Sequence, residues 1–172
     1  MLRVLTACLL ALVVSACGFH LRNKIALPPD LGPVRVTSTT LYSPLAESLA
    51  TGLKHAGAIT AASDAKDVAT LEVLSERWGD LPISIDAFGR AQEFSLRYAA
   101  VFVFRRADGS TLVPQQVVEL SRDYVSPPVN ATGTTTEREI LATELRREMA
   151  ASILRRVDGV IRGGVQGQEP SP

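Results

Sequence analysis

The sequence predicts an α+β two-layer sandwich: a four-stranded mixed sheet with two helices on one face, in the order β-α-β-β-β-α. Three observations carry this prediction. Phe94, Leu96, Tyr98, Ala100, Phe102 and Phe104 share one parity, while Glu93, Ser95, Arg97 and Arg105 share the other. That period of two marks a long, half-buried strand. Leu45, Leu49 and Leu53 recur every fourth residue, and so do Leu141, Leu145, Met149, Ile153 and Val157, which is the spacing of two amphipathic helices.

The elements follow in order. Val34 to Ser38 is short and β-branched, so it reads as the first strand. Ser43 then precedes Pro44, an N-cap followed by a proline at the first helical position, and Gly57 stands where that helix would stop. Ala69 to Trp78 alternates around Leu71, Val73 and Leu74 and gives the second strand. The third runs from Glu93 to Arg105, and Asp108-Gly109 supplies the hairpin turn after it, because both residues tolerate positive φ. The fourth runs from about Gln115 to Val125. Ser126 to Thr135 reads as a polar loop, and Thr136 with Glu139 fits a capping box that opens the last helix. Its leucine stripe is read as core rather than as a groove for lipid chains, since spacing of four on a capped helix is ordinary packing. The tail from Gly163, GGVQGQEPSP, has no apolar period and reads as disordered over 163–172.

The N-terminus is of a different kind. Arg3 precedes an uncharged run from Val4 to Val14, about half of the roughly 20 residues that a spanning helix needs. A basic start, a short apolar run and small residues after it are the anatomy of a signal peptide over 1–16. Val14, Ser15 and Ala16 lead directly into Cys17, and this VSAC stretch resembles the lipobox of bacterial lipoproteins. The lipobox resemblance implies that Cys17 carries a diacylglycerol on sulfur and becomes an acylated N-terminus. The competing readings are an ordinary signal peptide with an incidental cysteine and a buried N-terminal helix. Cys8 would leave with the signal, so the mature chain would hold no free thiol and no disulfide. Several acyl chains on one residue suffice for stable anchoring, whereas a single chain is marginal. Gly18 stands where an aspartate would resemble an inner-membrane retention signal, which favours the outer membrane. Residues 17–33 then form a lipidated tether, with Pro28 and Pro29 before the folded domain of 34–162.

Composition excludes several function classes. The chain has 18 Lys+Arg against 18 Asp+Glu, so it lacks the strongly basic face of a nucleic-acid binder. An anionic ligand would need a few local cations instead. The histidines are His20 in the tether and His55 at the end of the first helix, and neither has a second histidine or a cysteine at metal-ligand spacing. No G-x-S-x-G elbow, H-E-x-x-H or phosphate-cradling glycine loop occurs. Glu137 and Glu139 lie two apart on a helix and face differently. The expectation is a non-enzyme with no metal and no cofactor other than the covalent lipid on Cys17.

With these residues in view, the chain resembles the LPS-assembly lipoprotein LptE family. The resemblance is carried by ACGFHLR at the lipobox, by the element order, by FGRAQEFSLRY entering the third strand, and by SRDYVSPP before the last helix. It spans nearly the whole mature chain except the tail. It implies a plug domain inside the lumen of the outer-membrane β-barrel LptD, one that helps that barrel assemble and takes part in delivering lipopolysaccharide to the outer leaflet. It implies a domain held on the periplasmic side by the lipid at Cys17. The alternative is a generic outer-membrane lipoprotein serving as a periplasmic scaffold or binding module.

The resemblance implies contacts from basic loop residues to lipopolysaccharide, whose lipid A carries phosphates. Arg90, in DAFGRAQ between the second and third strands, is the candidate contact, since an arginine fork suits phosphate. Arg105 and Arg106 belong to a turn at the opposite end of the third strand and read as a solvated tip or a contact to the barrel wall. The loop NATGTTT before the last helix has no Lys or Arg, which weakens any two-point clamp.

Metabolic labelling with a clickable fatty acid should mark the wild type and leave Cys17→Ala unlabelled. Label retained in the mutant would remove the lipoprotein reading.

Overall fold

The computed structural model describes residue 25 and residues 27–62, 64–126 and 131–166, the side chains of 131–133 and 164–166 excepted. The elements are β1 (Val34–Ser38), α1 (Pro44–His55), β2 (Ala69–Ile85), β3 (Ala91–Arg105), β4 (Thr111–Val125) and α2 (Ala131–Gln166). The sheet order is β1-β2-β3-β4. β1 and β2 are parallel, joined through α1, and the other two pairings are antiparallel. The sheet is therefore mixed, as expected, with Leu45, Leu49 and Leu53 of α1 and the stripe of α2 packed in one core with its apolar face.

Helix α1 begins as its sequence requires. Ser43 is buried, and its Oγ accepts from the Ala46 amide at 3.1 Å. Gly57 takes φ 95° and hands its N–H to the Lys54 carbonyl, which ends the helix. In α2, Leu145, Met149, Ile153 and Val157 are all fully buried. The stripe is core.

Strand β2 is longer than its sequence suggests. It continues seven residues past Trp78, through Gly79 and Pro82, two residue types with poor strand propensity. The register explains why. Val73 pairs with Phe102 and Ser75 with Val101, so Leu74 is an extra residue in the ladder. One extra residue reverses the alternation. Ala69, Leu71 and Val73 face the helices before it; Glu76, Trp78 and Asp80 face them after it, as their contacts show. Cross-strand pairing to the long β3 then outweighs the weak strand propensity of Gly79 and Pro82. Pro82 lies beyond the end of β1, where that side of β2 has no neighbouring strand, so no ladder donor is lost.

Helix α2 also departs from expectation. It starts at Ala131 rather than after Thr136, so Thr136–Glu139 is not its cap. It ends at Gln166, inside the stretch read as tail, and 167–172 lie outside the described residues. Helix growth is cooperative once nucleated. The buried stripe therefore carries the helix outward through threonines and glycines, whose own propensities are poor.

The inner face turns polar where the helices thin out. Glu76 accepts from Ser38 Oγ, Ser43 Oγ and the Tyr98 hydroxyl, the last at 2.6 Å. Trp78 stacks on Tyr98 at 3.8 Å, and the Arg146 guanidinium lies 5.2 Å from the Trp78 ring centre. Farther out, Arg138 grips Asp80 through two bonds, Nε–Oδ1 at 2.9 Å and Nη2–Oδ2 at 2.7 Å, while Tyr124 donates to the same carboxylate at 3.0 Å. No residue of α2 before Ala142 with a described side chain is buried, so this fork and its neighbours hold the first turns of α2 to the sheet. The edge strand β4 is guarded as well. Arg156 donates to the Val117 carbonyl at 2.7 Å and Arg122 to the Ser121 carbonyl at 2.9 Å, and Pro114 interrupts its donors.

Leu145→Ala should cost about 2–5 kcal/mol, because it empties a fully buried site; chemical denaturation measures it. The Arg138 fork, outweighing partial burial, holds the Asp80 carboxyl below its ordinary 3.8. A lowered folded-state value stabilises above the unfolded one and is lost as pH falls through the folded value. The melting-temperature gap between wild type and Asp80→Asn should therefore be full at neutral pH and shrink as pH falls below 3.8.

Candidate functional site

Beyond the end of β1, β2, β3 and β4 continue as a three-stranded sheet as far as Glu93 and Val125. Only the β2–β3 hairpin runs on past them to close in a turn at 86–90. The sequence of that turn, DAFGR, determines its shape. Gly89 takes φ 75°, a value only glycine adopts freely. Asp86 folds its side chain back over the turn, as aspartate does in Asx turns. Its Oδ1 accepts from the Phe88 amide at 2.8 Å and the Arg90 amide at 2.9 Å. Its Oδ2 accepts from Arg90 Nε at 2.8 Å and from Gln92 Nε2 at 3.2 Å. Backbone bonds from Asp86 N to Arg90 O and from Gly89 N to Asp86 O complete the turn. The bonds to Arg90, led by its backbone amide, hold the Asp86 carboxyl below the usual range.

Arg90 is thus fixed rather than loose. Its guanidinium lies 5.2 Å from the Phe88 ring centre, a cation–π distance. Asp86 takes Nε, and the two terminal nitrogens have no hydrogen-bond partner among the described residues. The Arg90 side chain is 59% exposed. An open guanidinium edge of this kind can still take a phosphate or carboxylate. The sequence located Arg90 in the turn but missed its two companions. Asp86, four residues before Arg90 with a glycine between them, was the available signal for the first; nothing in the sequence announced the second, the ring of Phe88 beneath the cation.

The other hairpin repeats the device at the opposite end of β3. Asp108 Oδ1 accepts from the Ser110 amide at 2.8 Å, and Gly109 takes φ 82°. Its arginines are engaged in ion pairs: Arg105 Nε stands 3.6 Å from Glu72 and Arg106 Nη1 3.1 Å from Asp30. Arg106 therefore ties the segment before β1 to this turn. The two ends of β3 differ accordingly: one holds a cation facing outward, the other a cation used internally.

The remaining site residues fall elsewhere. Cys17, the lipobox Val14, Ser15 and Ala16, and His20 lie outside the described residues. His55 is exposed at the end of α1, and among the described residues no three His, Cys, Asp or Glu side chains come together to hold a metal ion. No described helix is long and apolar enough to cross a membrane.

Comparison with known proteins agrees with this architecture. The chain is 29% identical over 157 residues to the "LPS-assembly lipoprotein LptE" of Photorhabdus laumondii, covering 90% of this chain and 85% of that protein. It is 32% identical over 162 residues to the "LPS-assembly lipoprotein LptE" of Yersinia pestis, covering 90% and 75%. The fold matches the solution structure of an uncharacterized lipoprotein B from Nitrosomonas europaea, with TM-score 0.69, 19% identity, and 90% and 99% of the two chains covered. It matches the crystal structure of the rare lipoprotein B from Shewanella oneidensis with TM-score 0.64, 21% identity, and 80% and 100% coverage. The family described as "LptE: Lipopolysaccharide-assembly" matches residues 31–157, which span both helices' packed stripes, the whole sheet and the Arg90 turn, and the chain belongs to that family.

Proposed function

We propose that this protein is an outer-membrane lipoprotein, anchored on the periplasmic side through Cys17, that takes part in lipopolysaccharide assembly. In this reading its domain plugs the lumen of an LptD-type β-barrel, helps that barrel assemble, and contacts lipopolysaccharide through Arg90. Membership of the family supports the assembly role. The observation that carries the ligand contact is the Asp86–Phe88–Arg90 turn, which presents an open guanidinium edge at the far end of the longest strands.

The helix-free face of the sheet suits a wet lumen. It alternates small residues such as Ser75, Gly79 and Ala99 with crossed ion pairs, Glu72–Arg105 at 3.6 Å and Arg97–Glu119 at 3.7 Å. Exposed pairs like these contribute little to stability. They set charges beside the apolar Leu74, Val101 and exposed Val117 of the same face, and those charges suit the wet interior of a barrel.

Arg90→Asp should weaken lipopolysaccharide binding about tenfold to a hundredfold, the worth of a charge-assisted bond and more once the sign is reversed. Purified mutant and wild type should be compared in binding and in thermal stability together. Unchanged binding at unchanged stability would retire Arg90 as a ligand residue. Co-purification of the membrane-extracted protein with a large β-barrel tests the plug role separately.

A further inference from the structure

The far end of the sheet, which carries Arg90, is apolar to an extent that its own fold does not use. Leu81, Ile83, Ile85 and Phe88 are all exposed, Ile85 at 68% and Phe88 at 83%. Leu81 and Ile83 lie on the last three-stranded part of the sheet, while Ile85 and Phe88 lie on the short hairpin beyond β4. Such a hairpin is marginal by itself in water, and leaving these side chains in solvent gives it nothing. The tip is nevertheless held rigid by the four bonds that Asp86 accepts. It is built to present these groups.

Their arrangement selects the kind of occupant. Ile83 is an extra residue between the pairs Pro82–Phe94 and Ser84–Glu93. That bulge reverses the alternation, so Leu81 and Ile85 fall on opposite faces of the sheet's far end while Phe88 caps the hairpin. A folded partner's surface would cover one face. Flexible hydrocarbon chains can close around both.

Position and charge point the same way. β2 is 17 residues long, so its tip lies about 55 Å from the end where the chain enters from the tether. A bilayer with its headgroups measures about 40–45 Å. A domain anchored at one leaflet, with its strands along the barrel axis, therefore reaches the other leaflet with this tip. Arg90, beside Phe88, supplies a cation for an anionic headgroup.

We propose that Leu81, Ile83, Ile85 and Phe88 enter among the acyl chains of a phosphorylated lipid whose headgroup Arg90 takes. The inference rests on the lipid-binding reading above and adds the apolar half of the same site. The sole tryptophan of the chain is Trp78, so Trp78→Phe with Phe88→Trp places the only reporter at the tip.

The test uses the full lipidated chain in detergent, titrated with phosphatidic acid carrying brominated acyl chains, with unbrominated phosphatidic acid as reference. Bromine quenches tryptophan only on close approach, so quenching by the brominated lipid alone is the expected result. Ile83→Ser with Ile85→Ser should weaken binding about tenfold or more. The melting temperature should stay unchanged, because both side chains are exposed. Quenching that persists undiminished in Arg90→Asp would support the acyl contact and retire the phosphate contact. Binding that is lost in Arg90→Asp yet never quenched at position 88 would overturn the acyl contact and leave these apolar groups to the polypeptide of the barrel.

Discussion

The extra residue at Leu74 is the constraint on which the distal half of the molecule depends. A strand that kept its alternation through residue 80 would turn Glu76, Trp78 and Asp80 to the helix-free side. The bulge sends them inward, and each then meets a partner that only the inner face offers. Glu76 receives the hydroxyl of Ser43, which also caps α1, so one carboxylate couples the start of a helix to the middle of the sheet. The same carboxylate receives Tyr98. Burial, with Glu76 beside it, pushes that phenol well above its ordinary range, so it stays protonated and remains a donor. Asp80 receives Arg138 and fixes the entry of α2.

This arrangement divides the fold into two regimes. Near the chain's entry, helices and sheet meet through hydrocarbon alone: Leu45, Leu49, Leu71, Phe102, Phe104 and Ile153 are fully buried. Toward the tip the same two layers meet through forks, hydroxyls and a stacked aromatic pair. Apolar contacts tolerate sliding, whereas a bidentate arginine fork specifies one geometry. The Asp80–Arg138 fork therefore sets where α2 lies over the strands, and the hairpin that leads to Arg90 starts from a defined position.

Much of this was legible in the residues. β1, α1 and the third strand were readable because each follows one rule throughout: β-branched density, a capped spacing of four, or an unbroken period of two. The second half of β2 was not, because a bulge breaks the period and Gly79 and Pro82 imitate an ending. The start of α2 was hidden by Gly133 and three consecutive threonines, which read as loop until the buried stripe behind them is known to hold the helix. At the candidate site the turn and its arginine were visible from Gly89. The pairing that fixes the arginine was not, because a sequence shows that Asp86 is near but not that it accepts four bonds. Cys17 rests on the sequence alone.

The guarded edge of β4 has a consequence for the protein before it meets any partner. A fifteen-residue strand with one free side is a template for further strands, those of other copies of the same chain included. Arg156 and Arg122 occupy two carbonyls along that side, and Pro114 removes one amide from the strand. Such surface contacts add little to folding free energy. Their value is colloidal: they govern whether the chain stays a separate molecule in crowded company, and that property can be lost by a substitution that leaves the melting temperature untouched.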